Sequence, residues 1–413
     1  MRTLLHRPML LFVACVVLAL LGSATGAERR QPAALTPAAP SAGQFKVLVL
    51  EGSPHERGVT HGRMLKDQIH RFIRTWKAEL AREYKIDADT FIKRFAQKTD
   101  YVSAMKRWTP DLLEEIHGIA EGAGLDFDTT LVLQLIDEYW VNGEAVARDR
   151  CSSLGFSKRG EQPACVAQNL DVESFRDGFQ LILHIKHPDS GLEAFVLSHA
   201  GLIGANGMNN RALGICCNTL AQLSNCRDGL PVACVIRGVL EQQTEKDALA
   251  FLNRIKHASG QNYILGGPAN VYDLECSATK VSRFKVKERD DVIWHTNHPL
   301  VNDDYNAAYR AALAKTPKSQ GAGNSVTRLE CLARRLMKES TGPRIDLIKE
   351  TLASKDSPTH PVCRSRGKAA GFTFASTIMV LSAPPELHIA PGPPDETPYE
   401  TLKFSVQRRA SNP

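Results

Sequence analysis

The spacing of apolar and polar positions divides the chain near residue 150 into a helical stretch and a stretch of strands. Phe45-Lys46-Val47-Leu48-Val49-Leu50 reads as a strand. Gly52-Ser53-Pro54-His55-Glu56 then supplies an N-cap serine, a proline at the first helical position and a glutamate three residues after the cap. That order predicts one long helix from Pro54 towards Tyr84. Two more helices are expected from Ala88 to Arg107 and from Pro110 to Ala123, with Thr109 capping the second and Gly124 ending it.

Beyond residue 150 the period shortens to two. Phe179 to Ile185 alternates, Ala194-Phe195-Val196-Leu197 is apolar, and Asn206-Gly207 marks a hairpin before a strand from Ala212 to Asn218. These segments predict a meander of antiparallel strands. Helices are expected over Val232 to Gln242 and Glu245 to His257, the latter capped by Thr244, and strands over Asn262 to Leu265, Val271 to Cys276 and Val292 to Thr296. Helices over Asn324 to Lys338 and Arg344 to Ala353 precede the last strands, Phe372 to Leu381 and Glu386 to Ile389, which Pro384, Pro385 and Pro391 bound. No repeat of about 20–50 residues is visible. Strands, then helices, then strands again suit two sheets packed together with helices outside.

The ends follow other rules. Arg2 and Arg7 precede an apolar run from Met9 to Leu21, with Thr25 and Ala27 at cleavage-like spacing. Residues 1–27 therefore read as a signal peptide, and the protein as secreted or periplasmic. The run is short of the roughly twenty residues a membrane span needs, so no stable span is expected once the signal is removed. Residues 28–44, dominated by Pro, Ala, Arg and Gln, read as a disordered linker. There follow a mainly helical segment over 45–150 and a segment of strands and helices over 151–410.

Composition narrows the function. The formal charge of +6 falls to +4 without Arg2 and Arg7, and no run of five or six like charges occurs. A nucleic-acid partner is not supported. Of 10 cysteines, Cys15 leaves with the signal, so an odd number enters an oxidising compartment. At least one thiol stays free, assigned here to Cys151, and spacing alone cannot pair the rest. No phosphate-cradling glycine loop follows a strand. His295-Thr296-Asn297-His298 lacks the intervening glutamate of a metal-binding pair, so no cofactor or metal is expected.

The stretch with chemical content is Arg148-Asp149-Arg150-Cys151-Ser152-Ser153, followed by a strand that ends in Gln168-Asn169-Leu170-Asp171. A Cys-Ser-Ser that opens a strand, with Gln-Asn-x-Asp beyond it, resembles the start of the catalytic chain in N-terminal-nucleophile hydrolases. The likeness is to the autoproteolytic acyltransferase/hydrolase family typified by acyl-coenzyme A:6-aminopenicillanate acyltransferase. Gly52 to Gly62 and Gly118 to Gly124 resemble segments that this family carries before its nucleophile. The resemblance implies an α+β fold, a four-layer αββα sandwich, acting on a small-molecule acyl-amide or acyl donor.

It also implies roles for particular residues. Cys151 would be the nucleophile, and Arg150-Cys151 the bond it cuts in its own chain, with Arg150 where the family usually has Gly. The amine so freed, with an ordinary pKa of about 7.7–8, can take the thiol proton. Asp171 would position that amine. Asn218, in Gly214-Ile215-Cys216-Cys217-Asn218, and Asn297, in His295-Thr296-Asn297-His298-Pro299, resemble the donors of the oxyanion hole. Arg328 and Arg364 match further family segments. Gln168 stands where the cholylglycine-hydrolase branch has Arg, which favours the penicillin-acyltransferase branch.

His55 and His61 read as packing or capping residues. Two other readings stay open. One is a papain-like peptidase pairing Cys151 with a distant histidine such as His199, although no Cys-Gly-Ser-Cys-Trp signature surrounds the cysteine. The other is an inactive relative that binds acyl compounds.

Overall fold

A computed structural model describes residues 45–142, 151–315, 323–338, 344–367 and 371–404. The signal peptide, the linker and Arg150 lie outside the described residues. Among the described residues seven helices precede the cysteine: α1 (Pro54–Met64), α2 (Lys66–Tyr84), α3 (Ala88–Lys98), α4 (Tyr101–Trp108), α5 (Pro110–Ala123), α6 (Phe127–Leu133) and α7 (Ile136–Asn142). The capping box is present: Ser53 Oγ accepts from the Glu56 amide, and Glu56 accepts from the Ser53 amide. Gly124 ends α5 in the left-handed region, at φ 69°.

The strands form two sheets. The first runs in the order β1 (Val47–Leu50), β4 (Gln180–His187), β5 (Leu192–His199), β6 (Asn206–Asn209), β7 (Gly214–Thr219), β8 (Gln261–Gly266), β9 (Val271–Cys276), β10 (Val281–Phe284). From β4 onward all pairings are antiparallel, the expected meander, while β1 joins β4 in parallel. The second sheet runs β11 (Val292–His295), β2 (Ser152–Phe156), β3 (Cys165–Val172), β12 (Phe372–Val380), β13 (Glu386–Ala390), β14 (Glu400–Lys403).

Side chains on successive strand residues point to opposite faces, which sorts them into three cores. Leu181, Leu183, Ile215 and Leu265 join Phe72, Trp76 and Ile116 of the helices. Their neighbours Ile182, Cys216 and Ile264 meet Val166, Phe374 and Met379 between the sheets. Leu154, Ala167 and Ile378 face Leu332 and Ile348 of α11 (Asn324–Leu336) and α12 (Arg344–Leu352). The order of layers is helix, sheet, sheet, helix, the expected α+β sandwich. Because both faces of each sheet are covered, β2, β5, β7 and β8 are buried at every position.

Several expected elements are corrected. The helix expected from Pro54 to Tyr84 breaks at Leu65, at φ −113° and ψ 13°. The cause is α5, against which α1 lies backbone to backbone. A Cβ on Gly58 would stand 2.0 Å from the Glu115 carbonyl oxygen, and one on Gly118 would stand 2.2 Å from that of His55. The helix expected over 88–107 divides where Thr99 is extended and the Asp100 amide donates to Arg227 O. Thr109 holds the N-cap position of α5 without a side-chain cap bond.

The hairpin signal at Asn206-Gly207 lies inside β6, because the turn falls at Asn210-Arg211 with Ala212 at φ 57°. The helices α6, α7 and α10 (Ala307–Lys315) and the strands β10 and β14 complete the fold beyond the sequence expectation. The remaining helices, α8 (Val232–Leu240) and α9 (Glu245–Arg254), arise as expected, and Thr244 accepts from the Asp247 amide. All nine described cysteines are free thiols.

One buried charge cluster ties the helical layer together. Arg237 of α8 grips Glu115 of α5 with two bonds of 2.8 and 2.9 Å, and Arg57 Nε adds a third at 3.3 Å. Burial alone would raise the Glu115 carboxyl, but Arg237 and then Arg57 outweigh it and hold it down at about 2. The close contact of α1 with α5 presents Arg57 to this carboxylate. Replacing Gly58 by Ala should therefore force the two helices apart and lower stability by about 1–3 kcal/mol. Urea unfolding of Gly58→Ala beside the wild type measures it, and equal midpoints would refute the close-packing account.

Candidate active site

Cys151 immediately precedes β2, which pairs with β11 on one side and β3 on the other. This register sets the cysteine near the end of β3, where Asp171 lies, and both residues line one pocket with Asn297. Asp171 Oδ1 accepts from Thr373 Oγ1 of β12 at 2.7 Å. The Cys151 thiol is buried, which pushes its pKa far up, and the Asp171 carboxylate pushes it further. The Asp171 backbone amide and the Arg328 guanidinium act in the opposite sense without overcoming burial. In the continuous chain the thiol is neutral.

Arg328, on α11, is fully buried. Its Nη1 donates to the Cys151 carbonyl oxygen and, at 2.9 Å, to Ser152 Oγ. Nη2 donates to Asn297 Oδ1 at 2.9 Å, and Nε to Asn324 Oδ1 at 2.8 Å. One guanidinium thus fixes the residue ahead of β2 and the orientation of the Asn297 amide. With its oxygen held, Asn297 turns Nδ2 the other way, where one N–H donates to Thr219 O at 3.2 Å. An amide nitrogen has two donors, so among the described residues one N–H of this pocket-lining residue is left.

The turn that carries Asn297 is itself anchored. Its amide donates to Ser325 Oγ at 2.7 Å, and its carbonyl accepts from Gln222 Nε2 at 3.1 Å. Buried Glu275 accepts from the amides of Leu300, Val301 and Asn302 and holds His295 Nε2 at 2.9 Å. His298 Nδ1 faces Ser325 Oγ at 2.8 Å. Among the described residues no group of three or more His, Cys, Asp or Glu side chains is arranged to hold a metal ion.

Asn218 and Arg364 occupy different places. Asn218 Nδ2 donates to His295 O at 3.0 Å and Thr296 O at 3.1 Å, which uses both its hydrogens, and its oxygen accepts from Gln168 Nε2 at 3.3 Å. It is fully buried behind the pocket and straps β7 to the end of β11. Gln168 extends this seam, donating to Cys217 O and accepting from Asn206 Nδ2 at 2.7 Å. Arg364 reaches the site by its main chain: its amide donates at 2.9 Å to Thr373 Oγ1, the hydroxyl that serves Asp171.

Of the two histidines expected to pack or cap, His55 is partly exposed and faces Glu121 Oε2 at 3.2 Å. His61 is buried, accepts the Gly201 amide at 3.0 Å and is pushed down to about 4 by burial. His199 lines the pocket, but its Nδ1 faces Ala200 O at 3.1 Å and its Nε2 faces Arg176 Nη1 at 3.2 Å. Burial and then Arg176 hold it far below the usual imidazole range. Its basic nitrogen is engaged by a cation.

Three pocket residues carry no signal in the sequence reading: Asp137 and Trp140 of α7, and Arg176 in the short turn after β3. Their sequence surroundings show no motif, because their place comes from chain folded over the sheet. Asp137 Oδ2 accepts from Thr219 Oγ1 and Gln261 Nε2, each at 2.7 Å. Beside it, Glu138 Oε1 accepts from the Val232 amide at 3.0 Å and Ser259 Oγ at 2.9 Å. A wider groove, lined by Lys158, Arg211, Pro268 and Pro384, contains none of the candidate residues.

Two sheets enclosed by helices make an α+β sandwich, with Cys151 at the head of β2. Residues 158–384 match the family described as acyl-coenzyme A:6-aminopenicillanic acid acyl-transferase, and the chain belongs to that family. The match takes in Asp171, Asn218, Asn297, Arg328 and Arg364 and begins after Cys151. The acyl-coenzyme A:6-aminopenicillanic-acid-acyltransferase 40 kDa form of Emericella nidulans is 27% identical over 257 residues, covering 62% of this chain and 70% of that protein. Protein dcd1A of Dictyostelium discoideum is 24% identical over 295 residues, covering 63% of this chain and 65% of that protein. Among solved structures, a Caenorhabditis elegans N-acylethanolamine-hydrolyzing acid amidase ortholog aligns at a TM-score of 0.40 and 16% identity, over 62% of this chain and 100% of that chain. Penicillin V acylase from Agrobacterium tumefaciens aligns at a TM-score of 0.40 and 13% identity, over 62% and 87% of the respective chains.

The acidic pair on α7 gives the fold a pH dependence. Burial first, and then Asp137, raise the Glu138 carboxyl to about 8, against an ordinary value of 4.5. A raised carboxyl binds more protons folded than unfolded, so its contribution is complete below about 4.5 and is lost as pH rises through about 8. Glu138→Gln keeps the oxygen that accepts from Val232 and Ser259 while removing the titration. Urea unfolding at pH 5 and pH 8 should show the variant losing less stability over that interval than the wild type, by about 1 kcal/mol or more.

Proposed function

We propose that this protein is a secreted or periplasmic amidohydrolase or acyltransferase that opens an acyl-amide bond through a Cys151 thioester, after cutting its own chain before Cys151. The observation that carries this reading is the Arg328 fork, which holds the Cys151 carbonyl and turns the Asn297 amide so that an N–H remains beside a pocket shared with the thiol. Family membership supports the acyl chemistry.

In the self-cleavage step, Cys151 Sγ attacks the carbonyl carbon of residue 150, the C–N bond breaks and the nitrogen takes the thiol proton. Water then hydrolyses the thioester, leaving a carboxylate at 150 and a free amine on Cys151. In turnover that amine accepts the thiol proton and sulfur attacks the substrate carbonyl. Asn297 donates to the developing oxyanion, the leaving amine takes the proton back, and water or a second amine releases the acyl group. Asp171 suits this scheme, because the carboxylate that disfavours a thiolate favours an ammonium at the same residue. Asn218, with both donors engaged, acts here as a strut behind the hole. The engaged Nε2 of His199 weighs against the papain-like alternative.

Intact-mass measurement with N-terminal sequencing tests the processing. The wild type should yield two fragments that stay together, the second beginning Cys151-Ser152-Ser153, and Cys151→Ala should stay uncut and inert. A wild type that turns over an acyl-amide while continuous across residues 150–151 would exclude the amine-as-base mechanism. A cut protein that forms no acyl adduct on Cys151 would leave only a binder. The same sequencing should find residues 1–27 absent from exported protein. In processed protein, Asn297→Ala should lower kcat by about a hundred- to a thousandfold, and unchanged turnover would remove Asn297 from the oxyanion hole.

A further inference from the structure

Arg176 is 3% exposed, lines the pocket with Cys151, and is the only lysine or arginine among the described residues that line it. Its Nε donates to Glu173 Oε2 at 2.9 Å and its Nη1 to His199 Nε2 at 3.2 Å. The guanidinium lies over the rings of Phe72 and Phe175, 5.7 and 5.2 Å from their centres. These contacts fix its plane. Nη2, by contrast, is buried and meets no hydrogen-bond partner among the described residues. A buried donor left unpaired is destabilising, so a ligand oxygen that pairs it is favoured.

We propose that Arg176 is a substrate-recognising residue, whose Nη2 binds a carboxylate carried by the acyl-amide that the enzyme opens. This rests on the acylase reading given above and adds the substrate class: an amide with an apolar body and one carboxylate. A carboxylate supplies charge-assisted bonds in the plane of the guanidinium, which a neutral oxygen matches poorly. Apart from Asp137, Asp171 and a few neutral polar groups the rest of the wall is apolar, with Leu202, Val232, Ile236 and Phe374 suited to hydrocarbon. Arg176 stands five residues after Asp171, a span of at most about 18 Å if fully extended. The turn over Ser174–Arg176 shortens it. The carboxylate therefore lies within a molecule of moderate length from the carbonyl that Cys151 attacks.

Two probe pairs decide the matter, each differing only in carboxylate against carboxamide. They are N-phenylacetylglycine with N-phenylacetylglycinamide, and succinyl anilide with its primary amide, so that the charge sits on the amine side in one pair and the acyl side in the other. Processed wild type should favour the carboxylate in at least one pair by about tenfold or more in kcat/KM, mainly through KM. Arg176→Met should collapse that ratio and Arg176→Lys should restore part of it. Glu173→Gln, which removes the competing carboxylate without touching the pocket wall, should raise the ratio, and it decides the question if Arg176→Met does not fold. Ratios near one in both pairs, or a ratio that survives Arg176→Met or is unmoved by Glu173→Gln, would overturn the role of Arg176 and leave the acylase reading standing. Failure of the cut protein to turn over any of the four probes would overturn both together.

Discussion

A guanidinium cannot shed its charge, so burying Arg328 commits the surrounding chain to supplying oxygen atoms in its plane. The oxygens come from Cys151, Ser152, Asn297 and Asn324. These residues lie ahead of β2, at its start, in the turn after β11 and at the head of α11, so one side chain relates three elements that no local interaction would bring into register. The residue that carries the thiol, the amide that shares its pocket and α11 are located by the same plane. The positive charge also draws the thiol towards ionisation, against the burial that holds it neutral.

The sandwich would be free to slide if its two sheets met only through apolar side chains, since such contacts are tolerant of small shifts. A polar seam prevents this. Gln168 joins β3 to β6 and β7, Asn218 joins β7 to the end of β11, and Glu275 of β9 holds His295 and three amides of the turn beyond it. Each of these buried groups is satisfied only in one register, and loss of a partner leaves a buried donor or acceptor at a cost of about 1–3 kcal/mol. The specificity of the fold near the site therefore resides in amides and carboxylates within an otherwise apolar interior.

Sequence pattern reached the strands around Cys151, the capping box at Ser53 and the end of α5 at Gly124, because each depends on a few adjacent residues. The family resemblance drew Cys151, Asp171, Asn218, Asn297, Arg328 and Arg364 into one set, of which the fold brings Cys151, Asp171 and Asn297 to one pocket and bonds Arg328 to two of them. The breaks at Leu65 and Thr99 escaped the sequence pattern, since they arise where α1 is pinned to α5 and where Asp100 meets Arg227, both long-range contacts. Asn218 was legible as a strand-end amide, but the two carbonyls that occupy it come from a strand about eighty residues away in the chain. Asp137 and Arg176 were illegible for the same reason: nothing in their own surroundings says that they line a pocket with a thiol.

The attachment of the segment before Cys151 bears on what a cut there would do. Among the described residues its links to the rest include those of Asp137 to Thr219 and Gln261, of Glu138 to Val232 and Ser259, and of Glu115 to Arg237. None of these bonds involves residue 151 or its neighbours, so hydrolysis before Cys151 leaves all of them in place. The apolar core shared by α2, α5 and the first sheet is held by side-chain packing that does not depend on the bond. Scission would therefore change the chemistry of residue 151, from an amide nitrogen to an amine, without dissolving the layer that supplies Asp137 and Trp140 to the pocket wall. A fold whose described links between the two sides lie away from the cut bond can lose that bond and keep its site.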